Sequence, residues 1–140
     1  MIAVDTNILI DLLGDDVRAD AAEAALRLAM ASGPVVACDV VIAEVTAGLG
    51  HGADVLDVLE AMGLRYSALD ERAAVRAGEM QRKYKQRRRD AGLTQIAPRA
   101  IPDFMVGAHA MMQCNALITR DEGFYRDYFK GLRVITPALP

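Results

Sequence analysis

The chain has 140 residues, of which 53% are hydrophobic and 25% charged, and its formal net charge is −3. This length and composition are typical of one globular domain, which we expect to span residues 1–140. No stretch approaches the roughly 18 consecutive apolar residues of a membrane span, and the first residues do not resemble a secretory signal. We therefore expect a cytoplasmic protein with no membrane partner. Cys38 and Cys114 lack a metal-ligand spacing and are expected to be reduced.

Short apolar runs alternate with helical patterns along the chain. The runs predict five strands, at residues 2–4, 35–38, 64–68, 116–119 and 133–135. The apolar periodicity predicts helices at residues 7–13, 18–31, 40–49, 53–62, 71–92, 102–114 and 122–129. Strands separated by one or two helices favour a mainly parallel sheet with helices on both faces. The predicted fold class is therefore a three-layer α/β/α domain.

Several residues predict where individual helices begin and which face they bury. Asp39 and Asp70 stand where an N-cap is expected, and Pro102 suits the first position of its helix. In the helix at residues 18–31, spacings of three and four residues predict one buried stripe, formed by Ala21, Ala24, Ala25 and Leu28.

Four carboxylates lie at the edges of mostly apolar segments: Asp5, Glu44, Asp103 and Asp121. An ionised carboxylate is costly to surround with hydrocarbon unless a positive group compensates its desolvation. These apolar segments contain no matching Lys or Arg, so the pattern calls for an external cation. The cations that best fit carboxylate oxygens are Mg²⁺ and Mn²⁺.

A parallel sheet gives the four carboxylates a reason to converge. Asp5 ends the first predicted strand and Asp121 follows the fourth, and ligands bind at the carboxyl ends of such strands. Asp103 falls in the first turn of its helix, where the helix dipole favours a negative charge. Glu44 has apolar helical neighbours and is expected to point inward. Taken singly, the three aspartates could equally be helix-start or capping residues.

Six of the sixteen basic residues lie between positions 82 and 89. They are Arg82, Lys83, Lys85, Arg87, Arg88 and Arg89. Such a run is often only a solvated helix face, but a basic stripe on an acidic body also attracts a phosphate backbone. We call these six residues the basic stripe. Together with Arg120, they are candidate contacts for RNA or for a protein partner.

The order of these motifs resembles the PIN domain, and within it the VapC-type ribonuclease toxins of toxin–antitoxin systems. The resemblance rests on Asp5-Thr6-Asn7 after the first strand, Glu44 with Gly48, Asp103 opening its helix, and Thr119-Arg120-Asp121 with Phe124 beyond. It implies an endoribonuclease that depends on Mg²⁺ or Mn²⁺, commonly a homodimer, and neutralised by a VapB-type antitoxin. It also implies that Asp5, Glu44, Asp103 and Asp121 form an acidic quartet, supported by Asn7 and Thr119.

Other functions fit the sequence less well. An aspartate-based phosphatase needs a second Asp two residues after Asp5, where this chain has Asn7. A receiver-like interaction module needs a phosphoacceptor Asp after the third strand and a later lysine, and residues 68–70 and the lysine-poor last third fit poorly. A catalytically silent PIN-like domain with a regulatory or interaction role stays open, because the motifs do not report activity.

Overall fold

A computed structural model describes residues 1–14, 17–93 and 99–138. In these residues five strands form one sheet: β1 (Ile2–Val4), β2 (Val35–Ala37), β3 (Arg65–Tyr66), β4 (Ala116–Ile118) and β5 (Arg133–Ile135). The strand order is β3-β2-β1-β4-β5, and every pair is parallel. The predicted α/β class is confirmed, and the sheet is entirely rather than mainly parallel.

Seven helices are described around this sheet. They are α1 (Thr6–Leu13), α2 (Arg18–Ser32), α3 (Asp39–Leu49), α4 (Gly52–Ala61), α5 (Glu71–Asp90), α6 (Ile101–Gln113) and α7 (Glu122–Tyr128). Each predicted helix is present with ends within about two residues of its expected position, which is the usual scatter of helix boundaries. None of the described helices is long and apolar enough to span a membrane.

Helix starts agree with the sequence in one case and differ in two. The Asp70 side chain caps α5 by accepting a hydrogen bond from the backbone N–H of Ala73 at 2.8 Å. Asp39 was expected to be a cap but is the first residue of α3, so Cys38 takes the cap position. Pro102 is the second rather than the first residue of α6. Both early residues of a helix lack an intrahelical partner for their N–H, so proline is tolerated at either position.

The buried face of α2 is not the predicted stripe. Ala21 is buried, but Ala24 is exposed and the side chain of Leu28 is 75% exposed. The helix instead buries Ala22, Leu26 and Ala29 together with Ala21. In an alanine-rich helix two adjacent stripes satisfy the same spacing, so periodicity alone could not choose between them.

An aromatic side chain of α6 packs against those of α7 and of the residue that follows it. Phe104 of α6 meets Phe124 of α7 with ring centroids 5.1 Å apart. Gly107 of α6 allows the ring of Phe129 to approach so closely that a Cβ at position 107 would lie 2.4 Å from a ring carbon. This contact fixes the distance between the helix that carries Asp103 and the helix that follows Asp121.

Candidate metal and nuclease site

Asp5 lies where the central strand β1 ends and α1 begins. The backbone N–H of Asp5 donates to the carbonyl of Ile118 at 2.9 Å, which continues the pairing of β1 with its neighbour β4. Oδ1 of Asp5 accepts a hydrogen bond from the N–H of Thr6 at 2.7 Å, and the side chain thereby also caps α1. The residue is 6% exposed, so a short strand and a helix start hold this carboxylate almost out of water.

The second oxygen of Asp5 faces three neutral donors. Oδ2 accepts from the hydroxyl of Thr119 at 2.7 Å, from the hydroxyl of Tyr125 at 3.2 Å and from the amide of Asn7 at 3.3 Å. Thr119 Oγ1 also accepts from the N–H of Asp121 at 3.0 Å. The hydroxyl of Thr119 therefore joins the end of β1 to the segment that carries Asp121.

Glu44 approaches the site from α3. Its Oε1 accepts a hydrogen bond from the hydroxyl of Thr6 at 2.7 Å, and its side chain is half-buried. Thr6 thus links the Glu44 carboxylate to that of Asp5, because its backbone N–H and its hydroxyl each donate to one of them. The prediction that Glu44 turns toward the protein rather than to open solvent agrees with this contact.

Asp103 and Asp121 share a cation that the sequence had not suggested. The guanidinium of Arg99 forms a short ion pair with Oδ2 of Asp121, and its Nη1 lies 3.7 Å from Oδ2 of Asp103. The guanidinium also lies over the ring of Phe124, 4.4 Å from its centroid. Asp121 stands at the start of α7, but its carboxylate contacts Arg99 rather than capping that helix.

Burial is the main reason why two of the carboxylates have raised pKa values. Burial raises the pKa of Asp5 from 3.8 to about 6, although the hydrogen bonds from Thr119, Thr6 and Tyr125 oppose the shift. Burial also raises the pKa of Asp103; Arg99 opposes this rise, and the charges of Glu44 and Asp121 add to it. Asp103 in turn raises the pKa of Asp5. Asp103 therefore lies within electrostatic range of each of the other three carboxylates.

Burial, reinforced by the negative charge of Asp5, raises the pKa of Tyr125. Its hydroxyl therefore stays protonated and remains a donor to Asp5 at neutral pH.

The donor chemistry fits a hard divalent cation, since all four groups are carboxylates and their combined charge is only partly compensated. The geometry is not yet that of a metal site. Within residues 1–14, 17–93 and 99–138, no group of three or more Asp, Glu, His or Cys side chains is placed to hold a metal ion. The guanidinium of Arg99 contacts two of the four carboxylates.

The basic stripe forms the second half of α5, and its side chains divide between two faces. Arg82, Lys85 and Arg89 line one shallow groove with Gly78. Lys83 and Arg87 line another, together with Arg76, Tyr128 and Lys130. The Arg87 guanidinium lies 5.1 Å from the centroid of the Tyr128 ring, and that of Arg88 lies 5.6 Å from the Tyr84 centroid. The stripe is therefore two basic surfaces rather than one.

Three further side chains take part in the site or its surroundings and were not predicted. Arg99 stands in a loop, where no periodicity marks a partner, although it lies four residues before Asp103. Tyr125 lies one helical turn after Asp121, a spacing that could have suggested a side chain directed at the site. Asp11 of α1 is buried and pairs with Arg120, whose guanidinium donates to both of its carboxylate oxygens.

The comparison with protein families identifies the class. The PIN domain profile matches residues 2–130, which is most of the chain and includes all four carboxylates. The chain therefore belongs to the PIN domain family. No curated protein sequence matches it.

Solved structures of the same fold come from toxin–antitoxin proteins. A chain of the VapBC2 complex from Rickettsia felis, bound to promoter DNA, has a TM-score of 0.73 and 18% identity, with 99% of this chain and 100% of that one covered. A chain of a toxin–antitoxin complex from Klebsiella pneumoniae has a TM-score of 0.64 and 22% identity, with 100% of both chains covered. VapC20 from Mycobacterium tuberculosis, a toxin that cleaves the sarcin–ricin loop, has a TM-score of 0.64 and 17% identity, with 95% of this chain and 99% of that one covered. At these identities the likeness concerns the fold.

Proposed function

We propose that this chain is a metal-dependent endoribonuclease that hydrolyses RNA phosphodiester bonds and acts as the toxin of a toxin–antitoxin pair. The observation that carries the proposal is that the buried carboxylate of Asp5, at the end of β1, interacts with Asp103, which in turn interacts with Glu44 and Asp121. Two further findings support it: the chain is a PIN domain, and similar folds include a toxin that cleaves the sarcin–ricin loop.

In this proposal Asp5 and Asp103 are the principal ligands of Mg²⁺ or Mn²⁺, and Asp121 and Glu44 are further direct or water-mediated ligands. A bound divalent ion lowers the pKa of water and offsets the negative charge that develops on a phosphate under attack. Hydrolysis adds a water oxygen to phosphorus, and the leaving oxygen of the RNA departs with a proton. The four carboxylates thus supply the charge that attracts the ion to this end of the sheet.

The neutral residues of the site act by positioning. Thr119, Tyr125 and Thr6 hold the Asp5 carboxylate in one orientation through hydrogen bonds of 2.7–3.2 Å. Asn7 donates to Asp5 and accepts from the backbone N–H of Arg120 at 3.2 Å, so it also ties α1 to the β4–α7 connection. Fixed ligand oxygens reduce the reorganisation needed when an ion and a substrate bind.

The proposed partners are an RNA substrate, a VapB-type antitoxin and a second copy of the chain in a homodimer. Such a toxin acts where RNA is available, so the proposal includes a cytoplasmic location. The basic stripe would contact either RNA or an acidic segment of the antitoxin.

The two faces of α5 allow the role of the stripe to be tested. Reversing Arg82, Lys85 and Arg89 to Glu changes one face, and reversing Lys83 and Arg87 changes the other. A face that binds RNA should, when reversed, weaken RNA binding and reduce the salt dependence that remains. A face that binds only antitoxin should leave RNA affinity unchanged and weaken the protein complex.

The central experiment is cleavage of total cellular RNA by purified chain free of antitoxin. We expect cleavage with Mg²⁺ or Mn²⁺, none with EDTA, and a loss of about 10²–10³-fold or more in Asp5→Asn. Asp39→Asn is the matched control: Asp39 also follows a strand end, but its Oδ1 accepts from the N–H of Leu69 at 3.1 Å, away from the site. Absence of cleavage with either metal, from folded protein, would favour a catalytically silent PIN domain.

A further inference from the structure

Arg99 is held at both ends. Its backbone N–H donates to the hydroxyl of Tyr84 on α5 at 3.0 Å, which fixes the main chain beside that helix. Its side chain is 36% exposed and reaches Asp121 and Asp103 with the same nitrogen, Nη1. The residue therefore enters the carboxylate site from its solvent side, on an anchored backbone.

The position of Nη1 decides what Arg99 can do. Oδ2 of Asp121 and Oδ2 of Asp103 both face this one nitrogen. A metal ion bound between the same two oxygens would have to replace Nη1, because two cations cannot occupy the same position between them.

The Arg99 contacts are of a kind that can exchange. Asp103 and Asp121 are each about one-third exposed, and ion pairs that water reaches are weak. Asp5, in contrast, is buried, and the groups that donate hydrogen bonds to it among the described residues are all neutral. A divalent ion could therefore contact Asp5 together with Asp103 or Asp121, whereas Arg99 contacts only Asp103 and Asp121.

We propose that Arg99 is a built-in counter-cation that competes with the divalent metal for Asp103 and Asp121. It neutralises these two carboxylates in the metal-free protein and is displaced when the metal binds. This inference rests on the proposed function, since it assumes that the quartet binds metal. It adds to that function a residue, Arg99, that lowers the affinity of the four carboxylates for the metal.

The test is Mn²⁺ binding to the full chain, free of antitoxin and RNA, by isothermal titration calorimetry. Arg99→Gln removes the competing charge, and we expect Mn²⁺ to bind about two- to fivefold more tightly than to the wild type, the range that loss of a partly exposed ion pair allows. Arg99→Lys keeps a cation on the same backbone and should stay close to the wild-type affinity. Thermal unfolding with and without Mn²⁺ provides a second readout, since Arg99→Gln should show the larger stabilisation by the metal.

Arg120→Gln is the matched control. It also removes one arginine from an ion pair, but with Asp11 outside the quartet, so it separates a local effect from a change of net charge. Equal Mn²⁺ affinity in all four proteins, or equal tightening in Arg99→Gln and Arg120→Gln, would overturn the inference and leave the metal site standing. Weaker binding in Arg99→Gln would overturn it too, by making Arg99 a support of the site. No Mn²⁺ binding in any protein would remove both this inference and the metal dependence of the proposed function.

Discussion

Asp5 and Asp121 follow neighbouring strands, yet their surroundings hold negative charge in opposite ways. In the Asp5 half of the site, which includes Thr119, Tyr125 and Thr6, neutral donors surround a buried carboxylate. In the Arg99 half, which includes Asp103 and Asp121, a cation meets carboxylates that water reaches. The first arrangement fixes geometry and leaves charge uncompensated; the second compensates charge through contacts that can be broken. The proposed metal site would use both arrangements.

The largest effect on stability is expected from a substitution of Gly107, in the packing of α6 against Phe129. Gly107→Ala places a Cβ where the ring of Phe129 lies, and the buried ring cannot move without shifting α6 or α7. We expect the free energy of unfolding to fall by about 3 kcal/mol, as measured by urea denaturation.

Gly78→Ala is the control for Gly107→Ala. Gly78 lies inside α5, and a Cβ there meets nothing within 4 Å. The same substitution should therefore stabilise the chain by about 0.5–1 kcal/mol through helix propensity alone. Similar effects at both positions would contradict the close contact between Gly107 and Phe129.

The next largest effect on stability is expected from removing the hydroxyl of Thr119, which joins the two halves. Thr119→Val keeps the shape of the side chain but removes the oxygen that donates to Asp5 and accepts from the N–H of Asp121. Since a buried carboxylate loses its shortest side-chain donor, the free energy of unfolding should fall by about 2 kcal/mol. Thr119→Ser, which retains the hydroxyl, should recover most of the loss in the same denaturation experiment. If Thr119→Ser and Thr119→Val lower the free energy of unfolding equally, the hydroxyl does not join the two halves as described.

A smaller effect should distinguish the halves by their response to salt. In metal-free protein, Arg99→Gln should cost about 0.5–1 kcal/mol of stability at low salt, because the ion pairs it removes are partly exposed. The difference from the wild type should shrink between about 0.05 M and about 1 M NaCl, since salt screens exposed pairs. For Thr119→Val the difference should not depend on salt. If the difference in stability between Arg99→Gln and the wild type does not change with salt, the Arg99 ion pairs behave like buried contacts rather than exposed ones.

The smallest effect concerns pH and a group outside both halves. His109 is buried on α6, its Nε2 lies 3.0 Å from the Ser67 hydroxyl, and burial lowers its pKa below 6.5 despite the opposing charges of Asp39 and Asp70. The unfolded chain therefore binds the proton more readily than the folded one, so stability is full above pH 6.5 and is lost as pH falls below it. Thermal unfolding between about pH 7.5 and about pH 5.5 should show a larger loss for the wild type than for His109→Gln. An equal loss would show that His109 does not contribute.

Much of the frame could be predicted because it follows from local patterns. Short apolar runs marked all five strands, and the convergence of Asp5 with Asp121 followed from parallel topology. The same reasoning was wrong for α2, where alanine is too uniform to distinguish adjacent faces. Local patterns could not reveal Arg99, since its partner Asp121 lies 22 residues away along the chain. The premise that the acidic segments ask only for an external cation therefore needed correction, because an internal one is present.

The strands that position this site are only two or three residues long, and Asp5 and Thr119 each come immediately after one. Successive residues of a strand point to opposite faces, so inserting one residue into Ile2–Val4 would turn the Asp5 side chain toward the other side of the sheet. Strands this short have no spare length in which such a slip could be absorbed. Changes in length are therefore tolerated very unevenly along the chain. In β1 or β4 a single added residue would therefore separate the Asp5 carboxylate from the Thr119 hydroxyl that donates to it.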